Sequence, residues 1–339
     1  MDGEGEFRSF IKVWITVLAS LTYSYFISKN IPKGFIRLLS ILPIISIFLY
    51  LPLHLSTIHL IGPTGFFISW LANFKLLLFS FDRGPLSSSS SSLRLFIIVA
   101  CLPVKIFKKP NPSDAKIKQD LSTLCSPSAE PKPKSILYYA IEALFLALLL
   151  RVYEYKQHLD PNFILFLYCF HMYFTLEILL AMGAALARFL LGLDLEPQFD
   201  DPYLSTSLQD FWGRRWNLMV TSILRSTVYE PIRPFSTRIL GRTWGLLLAL
   251  LATFAVSGLM HELIFFYLSR VRPTWEVMWF FALHGTCLAV EISVKNKVLS
   301  TTGRWRLHPL VSGPLTLGFV GVTGSWLFFP CVWTVWHGR

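Results

Sequence analysis

The chain has 339 residues, of which 53% are hydrophobic and only 15% charged, with a formal net charge of +11. Soluble domains usually carry roughly 25% charged residues, so this composition excludes an ordinary soluble enzyme. The basic residues lie between apolar runs and form no aromatic-rich patch, which indicates loops facing anionic lipid headgroups and excludes nucleic acid as a partner.

Eight apolar runs are each long enough to cross a bilayer, which takes about 20 helical residues. The predicted spans are residues 7–28, 35–53, 58–80, 135–151, 162–190, 243–268, 275–294 and 309–336. A ninth run, residues 93–107, is shorter and contains Pro103, which favours a re-entrant or interfacial piece. The predicted fold class is all-α, a polytopic membrane protein of about eight transmembrane helices forming one membrane-embedded domain over residues 1–339.

The ends of the runs predict an orientation. Asp2, Glu4 and Glu6 precede the first run, whereas a cleavable signal peptide needs a basic start, so we expect the first span to be retained. The basic clusters occupy residues 29–37, 108–134, 214–242 and 295–306. Counting crossings places all four clusters on one side, which is the cytoplasm by the positive-inside rule, and the amino terminus on the lumenal side.

Three polar segments separate the runs. Residues 84–92, which contain a run of serines, and residues 108–134, rich in proline and lysine, are predicted to be flexible loops. Residues 192–242 mix acids, arginines and tryptophans, and the S-x-x-D pattern at Ser207 to Asp210 predicts a helix over about 207–224. We expect a cytoplasmic segment with an interfacial helix, which either binds a ligand or only anchors the protein.

The stretch SGLMHELIFFY, residues 257–267, places His261 inside an apolar run. An ionisable residue in a bilayer is costly and is a functional candidate by default, and histidine can enter uncharged. Ser257 and Gly258 share its helix face, whereas Glu262 points elsewhere. The alternative is a histidine that only packs against a neighbouring helix.

Several kinds of site are excluded by spacing. A zinc motif H-E-x-x-H would need histidine where Phe265 stands, and neither a G-x-S-x-G elbow nor a glycine-rich phosphate loop is present. The other ionisable residues inside the spans are predicted to pair across helices; they are His171, Glu177, His284 and Glu291. A neutral histidine in an apolar cavity suits removal of a proton from a lipid hydroxyl that attacks an activated carbonyl.

Two motifs, SLQDFWGRRWNLMV at 207–220 and GLMHELIFF at 258–266, carry a family resemblance. With them, the chain resembles the plant wax synthase branch of the membrane-bound O-acyltransferase superfamily over nearly its whole length. The resemblance implies acyl transfer from fatty acyl-CoA to a hydroxyl, in the endoplasmic reticulum membrane, without a covalent acyl-enzyme. It assigns His261 as the general base and Asn217 as a second catalytic residue. Since the CoA thiolate is the leaving group, neither a metal nor a redox cofactor is expected.

Substrate-binding residues are expected in the first motif. Arg214 and Arg215 could meet CoA phosphates, and Trp212 and Trp216 are candidate substrate contacts. The acceptor stays open: a long-chain alcohol is the first interpretation, and a sterol or terpenoid alcohol is the alternative. A lipid transporter would need inverted repeats or paired interrupted spans, which the sequence lacks. A non-catalytic membrane scaffold is the remaining alternative, and the oligomeric state is not indicated.

Overall fold

The structure is a computed structural model that describes residues 3–89, 92–103, 134–192, 197–302 and 307–331. Within these ranges the chain forms helices and no strands. Eight of the helices are long and apolar enough to cross a membrane. The predicted all-α polytopic fold is therefore confirmed.

Ten helices are numbered here in chain order, and the short helical turns at residues 51–54, 156–158, 202–204 and 208–215 are left unnumbered. They are α1 Gly3–Asn30, α2 Phe35–Tyr50, α3 Ile58–Ser80, α4 Gly84–Ser88, α5 Leu93–Cys101, α6 Ile136–Glu154, α7 Pro161–Leu191, α8 Leu218–Ser269, α9 Glu276–Thr302 and α10 Pro309–Cys331. All except α4 and α5 are candidate spans. The predicted spans agree with these bounds, except that α8 begins at Leu218 rather than at residue 243 and that residues 332–336 lie outside the described ranges.

Contacts between loops fall into two groups, as they must at the two ends of a bundle across a bilayer. At one end, Lys33 Nζ lies 3.3 Å from an Asp82 carboxylate oxygen. At the other end, Nη2 of Arg270 donates to the backbone oxygen of Leu55 at 2.8 Å. Both contacts agree with helices that cross the bilayer in alternating directions. The amino terminus then lies at the end where Arg270 meets Leu55.

The short helix α5 enters the bundle without crossing it. Phe96 and Val99 on this helix are fully buried. The buried ammonium of Lys75 donates to the backbone oxygens of Val99 and Leu102, both at 2.7 Å, and so caps the carboxyl end of α5. The expectation that residues 93–107 do not span therefore fits the structure up to Pro103; residues 104–107 lie outside the described ranges.

Residues 84–89 are folded, in contrast to the flexible loop predicted over 84–92. Helix α4 buries Leu86 completely. The hydroxyls of Ser88 and Ser89 donate to the backbone oxygen of Pro85 at 2.9 and 2.8 Å, so serine here closes a short helix. Residues 90–91, and the predicted loop 108–134 apart from Lys134, lie outside the described ranges.

Helix α6 is the least enclosed of the candidate spans. Within its most apolar stretch of 18 residues, only 6% of the residues are buried in the protein. It packs along α7, and its inner face, with Ile141, Phe145 and Tyr153, lines the main cavity of the bundle. The outer face of α6 is therefore left for lipid.

Helix α8 is a hairpin and not one straight helix. Gly241 has φ 77° and ψ 168°, a conformation nearly confined to glycine. Across this turn the hydroxyl of Ser236 donates to the backbone oxygen of Gly245 at 2.8 Å. Met219 and Val220 lie in one hydrophobic cluster with side chains of the later arm; these are Val256, Met260 and Ile264. The first arm, residues 218–240, therefore runs back along the second, residues 242–269.

We predict that Gly241→Ala destabilises the protein by about 1–3 kcal/mol, because the turn holds a backbone conformation that a side chain strains. The measurement is the melting temperature of the purified protein in detergent. Gly5→Ala is the matched control, since an added Cβ there meets nothing within 4 Å and Gly5 lies in helical backbone. An unchanged melting temperature for Gly241→Ala would contradict the strained turn.

Candidate active site

A cavity of about 1900 Å³ extends along the second arm of α8. Its wall on this arm includes Arg242 near the turn, then Thr253 and Ser257, and finally His261. From Arg242 to His261 the helix rises about 28 Å, at about 1.5 Å per residue. Pockets for drug-sized ligands are typically about 300–1,000 Å³, so this cavity suits a longer, lipid-like molecule.

His261 lies on the cavity wall with one ring nitrogen already engaged. Its Nδ1 is 2.7 Å from the backbone oxygen of Ser257, and since a carbonyl oxygen only accepts, Nδ1 carries the proton. The rings of Trp70, Phe281 and Phe328 surround the imidazole, with centroid distances of 5.0, 4.5 and 5.7 Å. Nε2 is therefore the unprotonated nitrogen, held in apolar surroundings where it can accept a proton.

Asn217 lines the same cavity at the start of α8. Its backbone is left-handed, with φ 38° and ψ 66°, and its Oδ1 accepts a hydrogen bond from the backbone N–H of Val220 at 3.3 Å. This cap satisfies one of the free N–H groups at the first turn of the helix. Because Oδ1 is used by the cap, a substrate would meet the Nδ2 group of Asn217.

The α8 hairpin brings Asn217 and His261 to one level of the cavity. The contact between Ser236 and Gly245 fixes the register of the two antiparallel arms. Since both arms rise by about 1.5 Å per residue, Asn217 lies across from about residue 264, roughly one turn from His261. Trp70 packs in the same hydrophobic cluster as both arms. Two motifs far apart in sequence therefore meet at one place.

Trp212 joins the first motif to α9 and α10 through His284. The indole N–H of Trp212 donates to Nδ1 of His284 at 3.0 Å, and Nε2 of His284 donates to the hydroxyl of Thr323 at 2.8 Å. His284 is fully buried and off the cavity wall, so it pairs across helices as predicted. Trp212 and Trp216 both line the cavity, and the Trp212 ring lies 6.0 Å from Phe281, which contacts His261.

The first motif packs against the bundle and lines its cavity, whereas the cytoplasmic placement expected for residues 192–242 stays a prediction. One helical turn, Leu208–Asp210, continues into a π-helical turn, Phe211–Arg215, which ends before the left-handed Asn217. The predicted helix 207–224 is therefore broken at 216–217. Aromatic rings with arginines are typical of a membrane interface, but here Phe211 is buried and the tryptophans line an internal cavity.

Arg215 is engaged within the first motif. Its Nε donates to the Asp210 carboxylate at 2.9 Å, and Nη1 donates to the backbone oxygens of Asp200 and Asp201 at 3.0 and 3.3 Å. Neither Arg214 nor Arg215 is among the residues of the cavity wall. Their contact with CoA phosphates remains a prediction that this geometry does not test.

Arg225 and Arg242 do line the cavity, and neither was predicted from the sequence. The signal that could have found them is helical spacing from the two candidate catalytic residues. From Asn217 to Tyr229, every fourth residue lines the cavity: Asn217, Thr221, Arg225 and Tyr229. Three- and four-residue steps back from His261 reach Arg242 along the second arm: Ser257, Thr253, Leu250 and Leu246.

Acidic residues hold the first motif in place. The carboxylate of Glu291 in α9 accepts hydrogen bonds from the backbone N–H groups of Leu208 and Gln209 at 2.9 and 3.4 Å. Such a cap stabilises the free N–H groups of a first helical turn. Glu291 is thus a cross-segment partner, as predicted, and gives the π-helical turn a fixed starting point.

Lys134 joins α6 to α7 and to the first motif. Lys134 pairs with Glu177 of α7, so Glu177 has a partner on another segment, as predicted. Lys134 Nζ also lies 3.0 Å from a carboxylate oxygen of Asp201. Burial alone would lower the pKa of Lys134, but hydrogen bonds to Glu177 and Tyr138 raise it. Burial would raise the pKa of Asp201, but the hydrogen bond and charge of Lys134 lower it. The pair therefore stays ionised at neutral pH.

Glu262, although next to His261, does not face the cavity. Its carboxylate accepts a hydrogen bond from the backbone N–H of Met278 at 3.0 Å, in the first turn of α9. A Cβ added at Gly258 would lie 2.8 Å from Met278 Sδ and 3.3 Å from Phe281 Cβ. The glycine therefore permits close approach of α9, which sets Phe281 against the imidazole.

His171 in α7 also lines the cavity. Its ring stacks on Tyr153 of α6 at a centroid distance of 5.6 Å, and its Nδ1 has no hydrogen-bond partner within the part of the chain that the structure describes. Across the same described ranges, no group of three or more His, Cys, Asp or Glu side chains could hold a metal ion. His171 therefore contacts the neighbouring helix by its ring, in line with a packing role.

Known proteins are similar to this chain over most of its length. Residues 195–283 match the model of the Membrane bound O-acyl transferase family. The chain is 50% identical over 325 residues to acyl-CoA–sterol O-acyltransferase 1 of Arabidopsis thaliana, with 95% of this chain and 90% of the relative covered. It is 48% identical over 331 residues to a long-chain-alcohol O-fatty-acyltransferase of Simmondsia chinensis, with 97% and 91% covered. A probable long-chain-alcohol O-fatty-acyltransferase 1 of Arabidopsis thaliana is 48% identical, with 96% and 91% covered.

We predict that His284→Ala lowers stability by about 1–3 kcal/mol, because the buried indole N–H of Trp212 loses its acceptor. Thermal unfolding in detergent measures the loss. Thr323→Val, which removes only the second hydrogen bond, should cost less. If the two variants melt like the unsubstituted protein, the polar link does not hold the motif to α9 and α10.

Proposed function

Because the chain belongs to the plant wax synthase branch of the membrane-bound O-acyltransferase family and is an acyltransferase, we propose that it esterifies long-chain alcohols with fatty acyl groups from acyl-CoA. It does so as a multi-pass protein of the endoplasmic reticulum membrane. The observation that supports this most directly is His261, whose unprotonated Nε2 lies on a lipid-length cavity shared with Asn217.

In the proposed reaction the alcohol hydroxyl donates its proton to Nε2 of His261 as its oxygen attacks the thioester carbonyl carbon. The new C–O bond forms, the C–S bond breaks, and the proton passes from His261 to the departing CoA thiolate. The products are the ester and CoA, and no covalent acyl-enzyme arises. Nδ2 of Asn217 orients the thioester. Since no step needs a Lewis acid or an electron carrier, neither a metal nor a redox cofactor is part of the proposal.

The shape of the cavity supports this division of roles. The wall beside His261 is aromatic, which keeps water from competing with the alcohol as nucleophile. Arg242 lies at the end of the cavity near the Gly241 turn, and Arg225 lies between it and His261. Guanidinium groups bind phosphates through charge-assisted hydrogen bonds. The CoA phosphates therefore lie toward Arg242 and the thioester lies toward His261.

A sterol hydroxyl is the second candidate acceptor. The chain is 50% identical to a relative named as an acyl-CoA–sterol O-acyltransferase. The cavity volume of about 1900 Å³ also suits a broader acceptor than a straight chain, and a terpenoid alcohol would fit the same argument. Expression in a yeast that lacks its own neutral-lipid acyltransferases, fed with fatty alcohols or sterols, separates these acceptors by thin-layer chromatography of the esters.

We predict that His261→Ala lowers ester formation by about 100- to 10,000-fold, the usual contribution of a general base. Microsomes that contain equal amounts of each variant are assayed with labelled acyl-CoA and alcohol. His59→Ala is the control, because His59 is exposed and off the cavity wall. Normal turnover by His261→Ala would remove this histidine from the mechanism and refute the proposed function.

We predict that Arg225→Ala and Arg242→Ala each raise the KM for acyl-CoA about tenfold, since a hydrogen bond to a charged group contributes about 1.5–3 kcal/mol. An acyl thioester of N-acetylcysteamine, which has no phosphate, should be used equally well by these variants and the unsubstituted enzyme. Arg238→Ala is the control, because Arg238 lies on the first arm of α8, as Arg225 does, but not on the cavity wall. If the KM for acyl-CoA rises only in Arg214→Ala or Arg215→Ala, the CoA phosphates bind at the first motif and not at Arg225 and Arg242.

A further inference from the structure

Trp70, whose ring packs against the proposed base, carries a buried N–H. The indole is 1% exposed, lines the cavity and meets the imidazole of His261 edge-on, at an interplanar angle of 75°. Its Nε1 has no hydrogen-bond partner among the described residues. An indole N–H is a donor only, and a buried tryptophan usually finds an acceptor. Phenylalanine would fill an apolar wall here without leaving a donor unpaired.

The position of Trp70 is fixed by the helix that carries it. The residue lies in the π-helical stretch Gly65–Ala72 of α3, and such irregular turns are frequent at functional sites. On the other side of this stretch, Ser69 donates to the backbone oxygen of Phe48 at 2.6 Å, which joins α3 to α2. Phe66 meets the indole edge-on at 5.4 Å. The indole ring therefore lies next to His261 before any substrate arrives, and only its rotation remains to be made.

The proposed reaction has a use for a hydrogen-bond donor here in addition to Nδ2 of Asn217, because a developing oxyanion is usually stabilised by more than one donor. When the alcohol oxygen bonds to the thioester carbon, negative charge develops on the carbonyl oxygen. His261 cannot stabilise it, because Nδ1 donates to Ser257 and Nε2 is occupied with the proton of the alcohol. A preorganised N–H in an apolar site stabilises such an oxygen far better than water does.

We propose that Trp70 is a further catalytic residue, whose indole N–H donates to the thioester carbonyl oxygen as the alcohol attacks. This role rests on the proposed acyl transfer. The oxygen gains charge as the C–O bond forms and loses it as the C–S bond breaks, while Trp70 keeps its proton throughout. Because Nε1 is itself enclosed by its neighbours, a small rotation of the indole accompanies donation.

Trp14 offers a matched control within the same chain. Its Nε1 is also buried with no partner among the described residues. Trp14 packs against the core of α1, α2 and α3 and is not part of the cavity wall. Replacing either tryptophan by phenylalanine removes one unpaired indole N–H, but only Trp70→Phe removes it beside His261.

The first measurement is kcat in microsomes at saturating acyl-CoA. We expect Trp70→Phe to lower kcat and kcat/KM together, by about 10- to 100-fold, because the lost hydrogen bond forms only in the transition state. Trp14→Phe should stay within about twofold of the unsubstituted enzyme. Equal losses in both variants, or no loss in Trp70→Phe, would overturn the proposal. If Trp70→Phe does not accumulate, Trp70→Leu, which also carries no hydrogen-bond donor, takes its place in each measurement.

A second measurement separates catalysis from damage to the fold. A dithioester analogue of acyl-CoA presents C=S in place of C=O, and sulfur is a weak hydrogen-bond acceptor. The ratio of thioester to dithioester turnover does not depend on the amount of folded enzyme. We expect this ratio to fall in Trp70→Phe by about the factor lost in kcat. An unchanged ratio would assign Trp70 to packing, whereas normal turnover by His261→Ala would refute the acyl-transfer mechanism itself.

Discussion

The hydrogen bond from Nδ1 of His261 to the backbone oxygen of Ser257 decides which end of the imidazole can react. The nitrogen and oxygen lie 2.7 Å apart, and the surrounding aromatic rings offer the Nδ1 proton no other acceptor. The lone pair is therefore on Nε2. The enclosure depends on close helix contact, because Gly258 admits α9 and Glu262 caps its first turn. A polar residue inside an apolar run thus becomes useful through one local backbone contact.

The spans could be predicted because each one carries its own signal. Crossing a bilayer demands a local run of apolar residues, and the predicted bounds therefore agree with the helices seen. The first arm of α8 was predicted to be helical only as far as residue 224, since Arg225, Arg233 and Arg238 interrupt the hydropathy of the rest. Its helical course follows from contact with the second arm and from the turn at Gly241, and neither property is local. The same holds for α4, whose serines are helical because Leu86 is buried.

The candidate site was only partly visible in the sequence. The cost of burying an ionisable group pointed to His261, and family resemblance pointed to Asn217. Arg215 resembled a phosphate ligand because nothing in its spacing reveals the carbonyl oxygens that occupy it. Arg225 could be recognised only once residues 218–240 were known to be helical, since its relation to Asn217 is a helical repeat. The role proposed for Trp70 depends on packing between distant helices, which no sequence pattern in this chain records.

Asn217 and His261 belong to one hairpin, whereas α6 contributes a separate stretch of wall through Ile141 and Phe145, packs along α7 and otherwise faces lipid. Part of the container is thus built from a helix that carries none of the proposed reactive groups. Exchanging bulky for small side chains on α6 would resize the chamber while leaving the bond-making atoms where they are. Such a division makes this scaffold suited to evolutionary or laboratory diversification of the esters it produces, with α6 as the natural place to begin.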